Sequence, residues 1–116
     1  MTKAPLGNAD ALIHVIAHLS GTVDNRAGGD PKDSYTAKLL SKGSLHCGKK
    51  IAEEGAELAL ALAAQGKSES ASEAADLIYH MLVGLRSRGV TLDDVAAALR
   101  KRQGMSGLDE KAARKS

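Results

Sequence analysis

The stretch KKIAEEGAELALALA, residues 49–63, sets three glutamates into an Ala- and Leu-rich segment that reads as a helix. At about 100° per residue, Glu53, Glu54 and Glu57 fall within one arc of about 100°, so three like charges share a face. The cations within a turn, Lys49 and Lys50, stand four residues before Glu53 and Glu54, the weaker order for an i,i+4 ion pair. Local pairing therefore leaves the repulsion largely in place. A Glu cluster by itself is a solvated polar face, and chemistry requires a second set of groups opposite it.

SEAADLIYHMLVGL, residues 72–85, supplies that set, with Glu73 and Asp76 one helical turn apart. Glu73 is accounted for by an opening turn, where acids favour the helix macrodipole. Asp76 is not: it has poor helix propensity and adjoins the apolar run Leu77, Ile78, Met81 and Leu82. A carboxylate at the border of a core needs a cation, donors or a metal beside it. Glu54 and Glu57 repeat the same spacing, and a turn at Gly66 lets the two helices run antiparallel with the pairs facing. Four carboxylates facing one another repel strongly when empty. Filled by Mg²⁺, they make a hard oxygen site that grips phosphates and keeps positions for water.

EEGAE followed by EAAD resembles the EExxE…ExxD signature of the all-α nucleoside triphosphate pyrophosphohydrolase superfamily. Together, DSYTAKLLSKG, GKKIAEEGAE, EAADLIYHMLVGLRSRGVTLDDV and GMSGLDEKAAR are similar to the phosphoribosyl-ATP pyrophosphatase family of histidine biosynthesis, from Asp33 to Arg114. The resemblance implies Glu54, Glu57, Glu73 and Asp76 as Mg²⁺ ligands, with Glu53 to orient or deprotonate water. The implied reaction hydrolyses 1-(5-phosphoribosyl)-ATP to 1-(5-phosphoribosyl)-AMP and pyrophosphate, cutting between the α and β phosphates. Lys49 and Lys50, and more weakly Lys38 and Lys42, are candidates to touch phosphate, against the plain reading of solvated lysines. The same ligands would serve a housecleaning pyrophosphohydrolase of dCTP, dUTP or damaged nucleotides. A reading of another class is a non-catalytic helical dimerisation module whose acids are merely solvated.

These groups need a scaffold, and 116 residues suffice for a single domain. With no Phe or Trp, and Tyr35 and Tyr79 alone among tyrosines, the core must come from Leu, Ile, Val, Met and Ala, which suits close-packed helices. Period-2 alternation is absent, so the fold class is all-α. A first helix fits ALIHVIAHL, capped by Asn8 or Asp10 and ending near Gly21, followed by a surface loop GTVDNRAGGDPKD. A short helix over SYTAKLL takes Asp33 or Ser34 as cap. Ser44 caps a long helix that ends at Gly66, and a second long helix starts near Ser70, with Glu73 at capping-box spacing, and stops at Gly89. Thr91 caps a last helix with Val95 and Leu99 inward. The organisation is an N-terminal helix and loop (1–32), a core (33–103) and a basic tail (104–116).

Two long helices, near 44–65 and 70–88, are too few to cover LIYHMLVGL, whose apolar residues surround much of its circumference. A four-helix core completed by homodimerisation follows, with Gly48 and Gly55 letting axes come close. The resemblance agrees, since superfamily members are commonly dimers. His80 and Tyr79 read as interfacial residues with satisfied polar atoms, and Cys47 as core.

Charge is distributed unevenly: residues 1–100 hold 11 Lys and Arg against 12 Asp and Glu, and residues 101–116 hold 5 against 2. Without a basic face or stacking aromatics, nucleic-acid binding is not expected. One cysteine, no zinc-type Cys/His cluster, no signal-like segment and no long apolar run lead to an expected cytoplasmic protein with no membrane partner.

Overall fold

The structure, a computed structural model, describes residues 5–104 and 107–115. Among them are six helices and no strand: α1 (Asp10–Arg26), α2 (Tyr35–Ser41), α3 (Ser44–Ala64), α4 (Lys67–Ser87), α5 (Leu92–Lys101) and α6 (Gly107–Lys115). The all-α expectation holds. α3 and α4 form an antiparallel hairpin, α1 and α2 pack across it, and among the described residues neither α5 nor α6 packs on another helix.

α1 does not stop at Gly21 but continues five residues beyond it. Tertiary burial extends it: Val23 is 2% exposed within the core, and Asp24 Oδ1 accepts a bond from Arg86 Nε of α4 at 3.0 Å. The loop expected to start at Gly21 therefore shrinks to residues 27–34. At the start of α1 the Asn8 side chain accepts the Asp10 N–H at 2.8 Å. The chain thus has three long helices of 17, 21 and 21 residues, where two were expected.

Ser34 caps α2 as expected, its Oγ accepting from the Ala37 N–H at 3.1 Å. The boundaries of the hairpin shift by a few residues. Gly43, at φ 90°, precedes α3, so Ser44 is its first residue and not its cap. Gln65 and Gly66 alone separate α3 from α4. Ser70 lies inside α4, where its Oγ donates to the Gly66 carbonyl at 2.9 Å, so the capping box expected there does not form. α4 ends before Gly89, at φ 67°, and the Thr91–Asp94 capping box opens α5. α6 occupies the segment read as a plain polar tail.

Val23, Leu39, Cys47, Leu82 and Val83 form the buried core, with Ile16, Leu19, Leu40, Ile78 and Tyr79 packed around it. Within the chain, α3 and α4 approach most closely at a glycine other than Gly48 and Gly55, which were expected to serve contact with another helix or a second copy. A Cβ on Gly48 or Gly55 would meet nothing within 4 Å, whereas one on Gly84 would lie 2.7 Å from Ile51 Cδ1. Gly84 is the close approach. Leu99, expected to face inward, is 61% exposed because α5 has no helix to lie against.

Candidate functional site

The α3–α4 hairpin decides which of the glutamates meet. Glu54 and Glu57, one turn apart on α3, face Glu73 of α4, and the three offer carboxylate oxygens all within 4.8 Å of one another. Glu54 and Glu73 are half-buried, and their Oε2 atoms are shut off from solvent with no hydrogen-bond partner. Asp76 stands on the exposed rim of this group, a turn after Glu73, outside the 4.8 Å set.

The electrostatics record the crowding. Burial, then the Glu57 charge and a hydrogen bond with Glu57, raise the Glu54 carboxyl above its ordinary value, with Asp76 adding to the rise and His80 opposing it. Burial and then a hydrogen bond with Glu57 raise Glu73 likewise, with Asp76 and Glu54 contributing. Desolvation and like charge both disfavour ionised oxygens, so such a group either retains protons or takes a cation. A hard divalent cation matches an all-carboxylate donor set.

Glu53 goes elsewhere. Its carboxylate meets Lys50 Nζ at 3.2 Å, an i,i+3 pair on the exposed side of α3. That hydrogen bond, followed by the nearby Tyr35 hydroxyl, raises the Lys50 ammonium above its usual range, and Glu54 adds to the effect. Lys42, Lys49 and Lys50 surround His46, whose imidazole is lowered first by burial and then by these three cations in turn. A basic strip thus borders the acidic group on α3. Lys38 is exposed on α2.

Beneath the carboxylates, α2 and α4 are tied by a small polar and aromatic network. His80 Nδ1 donates to the Asp76 carbonyl at 2.8 Å, which in the neutral ring leaves Nε2 to accept from the Tyr35 hydroxyl at 3.3 Å. Tyr79 and Thr36 share a hydroxyl–hydroxyl bond of 2.6 Å. His80 and Tyr79 therefore have satisfied polar atoms, and Cys47 is buried with its thiol donating to the Leu39 carbonyl at 3.4 Å, all as the sequence implied. His46, Tyr35 and Thr36 were not singled out from sequence. Only their places in SKGSLHCGKK and DSYTAKLL could have drawn attention to them, because their neighbours are set by the fold.

A group of carboxylates beside a row of cations is equipped to hold a metal and the phosphates of one substrate. Comparison with known proteins bears on this. Residues 16–103 match the family model described as phosphoribosyl-ATP pyrophosphohydrolase. The chain is 52% identical over 97 residues to phosphoribosyl-ATP pyrophosphatase 1 of Rhodopseudomonas palustris, covering 84% of this chain and 91% of that protein. It is 50% identical over 105 residues to phosphoribosyl-ATP pyrophosphatase of Caulobacter sp. (strain K31), covering 90% and 97%. With the histidine biosynthesis bifunctional protein HisIE of Wolinella succinogenes it shares 49% identity over 114 residues, 98% of this chain and 49% of that one.

Proposed function

The chain belongs to the phosphoribosyl-ATP pyrophosphohydrolase family, and from that membership we propose that its acidic hairpin site performs a Mg²⁺-dependent hydrolysis of 1-(5-phosphoribosyl)-ATP to 1-(5-phosphoribosyl)-AMP and pyrophosphate. It is a hydrolase of a phosphoric anhydride bond, and the step belongs to histidine biosynthesis, as the name of the Wolinella succinogenes relative states for that protein. One observation carries the metal site: two carboxylate oxygens, on Glu54 and Glu73, are closed to solvent without a donor inside a three-carboxylate group. Such oxygens fit a bound divalent cation, which would offset their charge and supply the missing partner.

In this reading Glu54, Glu57, Glu73 and Asp76 would hold Mg²⁺, which would supply positive charge to offset that on the phosphate oxygens. The chain's own groups do the rest. Glu53, which the hairpin leaves on the solvent side paired with Lys50, is the candidate to take a proton from the attacking water and would have to leave Lys50 to do so. Lys49 and Lys50, with Lys42 and Lys38 further out, balance the triphosphate. His80, fixed by Tyr35 on one nitrogen, steadies the Asp76 carbonyl on the other, and so the turn of α4 that carries the acids.

Exposed apolar side chains support the second part of the proposal, a homodimer. Leu12, Ile13 and Val15 on α1 and Leu60 and Leu62 on α3 are all more than half exposed. Such faces suit a two-fold contact between copies. No helix among the described residues is long and apolar enough to cross a membrane, and a cytoplasmic location is part of the same proposal. Pyrophosphate release from phosphoribosyl-ATP, with and without chelator and beside a panel of deoxynucleoside triphosphates, is the test. Faster release from a deoxynucleotide would transfer the site to nucleotide housecleaning.

A further inference from the structure

We propose that the open face of Tyr35 is the platform on which the substrate's purine stacks, an inference that rests on the function proposed above. The chain has no Phe or Trp and only two tyrosines. The fold puts both beside the acidic site, with Tyr35 and Tyr79 stacked at 6.3 Å between centroids and 19° between planes.

Two ring contacts and one hydroxyl bond hold Tyr35. Tyr79 lies along it, the His80 ring meets it edge-on at 6.0 Å, and its hydroxyl is bonded to His80 Nε2. Half of the residue, 51%, nevertheless stays exposed. A ring whose rotamer and hydroxyl are already fixed loses little further entropy when a ligand covers it. Every base presents a π-face to such a ring.

Its position fits the order of groups in the substrate. The hydroxyl end is bonded to His80, whose other nitrogen holds the carbonyl of Asp76, one of the acids assigned to the metal. The purine of this substrate also carries a sugar on N1, and alkylation there makes the base readily cationic. A cationic base is drawn to the negative face of a phenol ring, so Tyr35 would favour it over the plain adenine of ATP.

Two variants separate the ring from its hydroxyl. Tyr35→Phe should retain the KM for phosphoribosyl-ATP, whatever it loses in kcat through His80. Tyr35→Leu should raise KM about 5- to 150-fold, the scale of one lost base–aromatic stack, while Mg²⁺ binding by calorimetry stays at the wild-type level. Tyrosine fluorescence gives a readout independent of turnover, because no tryptophan masks it. AMP alkylated at N1 should quench the wild-type signal and leave that of Tyr35→Leu unchanged. An unchanged KM in Tyr35→Leu, an absent quench, or a change of oligomeric mass in Tyr35→Leu would each overturn the platform, the last by showing that a second copy covers the ring. Quenching by the nucleotide in a wild-type enzyme that leaves phosphoribosyl-ATP intact would instead defeat the proposed reaction and uphold the stacking.

Discussion

Glu54 on α3 and Glu73 on α4 each turn one carboxylate oxygen away from solvent, and neither oxygen meets a donor. With Glu57 they form a group within 4.8 Å, so the hairpin closes against its own charge. The pH dependence of the metal-free protein follows. Both carboxyls are raised in the fold, by burial first and then by Glu57. Below their unfolded value of 4.5 both states are protonated and the fold carries no penalty. As pH rises through the folded values, the fold must ionise groups that the unfolded chain ionises more easily, and stability is lost. Metal-free melting temperature should therefore climb as pH is lowered from about 7 toward 5, and Mg²⁺ should flatten the profile. Two groups act with the opposite sign. His46, lowered by burial and then by Lys42, Lys49 and Lys50, loses stability as pH falls through its unfolded value of 6.5, so the melts are compared in a His46→Gln background. Asp94, lowered by bonds to Thr91, loses its stabilisation only below its unfolded value of 3.8. A metal-free melt that falls over the same interval would contradict the assignment.

Removing charge without changing size should separate folding from catalysis. Glu57→Gln and Asp76→Asn are expected to fold, to melt at or above the wild-type temperature without metal, and to lose about 100-fold or more in turnover, since even groups that only support a ligand cost up to that much. Near-normal turnover in both variants would remove these residues from the site.

The core and the surface should respond on different scales. Leu82 is 5% exposed against Val83 and Cys47, and Leu82→Ala should cost about 2–5 kcal/mol in denaturant unfolding. Asp24→Ala breaks an ion pair whose partners are both well exposed, and should cost about 1 kcal/mol or less. Equal losses would mean that the α1–α4 contact is held by charge more than by Val23.

Thr91 and Asp94 cap a helix that, among the described residues, packs on no other. Thr91→Ala should destabilise α5 by about 1 kcal/mol yet hardly move the global melt. Faster amide exchange confined to Leu92–Lys101, measured by hydrogen–deuterium exchange, is the expected signature; a cooperative fall in melting temperature would show α5 to be part of the main body.

The homodimer proposed above makes a direct prediction of mass. Light scattering should return about twice the chain mass of 12.0 kDa, and charged substitutions at Ile13 or Leu62 should lower it. A stable, active monomer would rule out the dimer.

Local signals were legible in the sequence. Ser34 and Thr91 announce their caps, and the helical spacing of the acids with a turn at Gly66 faces Glu54 and Glu57 with Glu73 and Asp76 before any fold is known; the structure brings the three glutamates within 4.8 Å and leaves Asp76 outside that set. What depends on packing was hidden. Gly21 looks like a stop until Val23 is seen buried two residues later. Gly84 gave no sign from sequence of being where Ile51 approaches, a relation set by the rotation of α3 against α4. Glu53 belongs to the acidic face by spacing, but the hairpin leaves it outside with Lys50. The Tyr35–His80 bond joins residues 45 apart, and no periodicity announces it.

Every acid proposed as a ligand lies between residues 54 and 76, within one helical hairpin closed by two residues, Gln65 and Gly66. Contacts so near in sequence lose little chain entropy on forming, and folds rich in them form quickly. The hairpin should thus be an early structure on the folding route, but the step that docks α3 on α4 also gathers the repelling carboxylates. A divalent cation present during refolding would speed that docking, making the rate at which this chain acquires its shape sensitive to the metal supply around it.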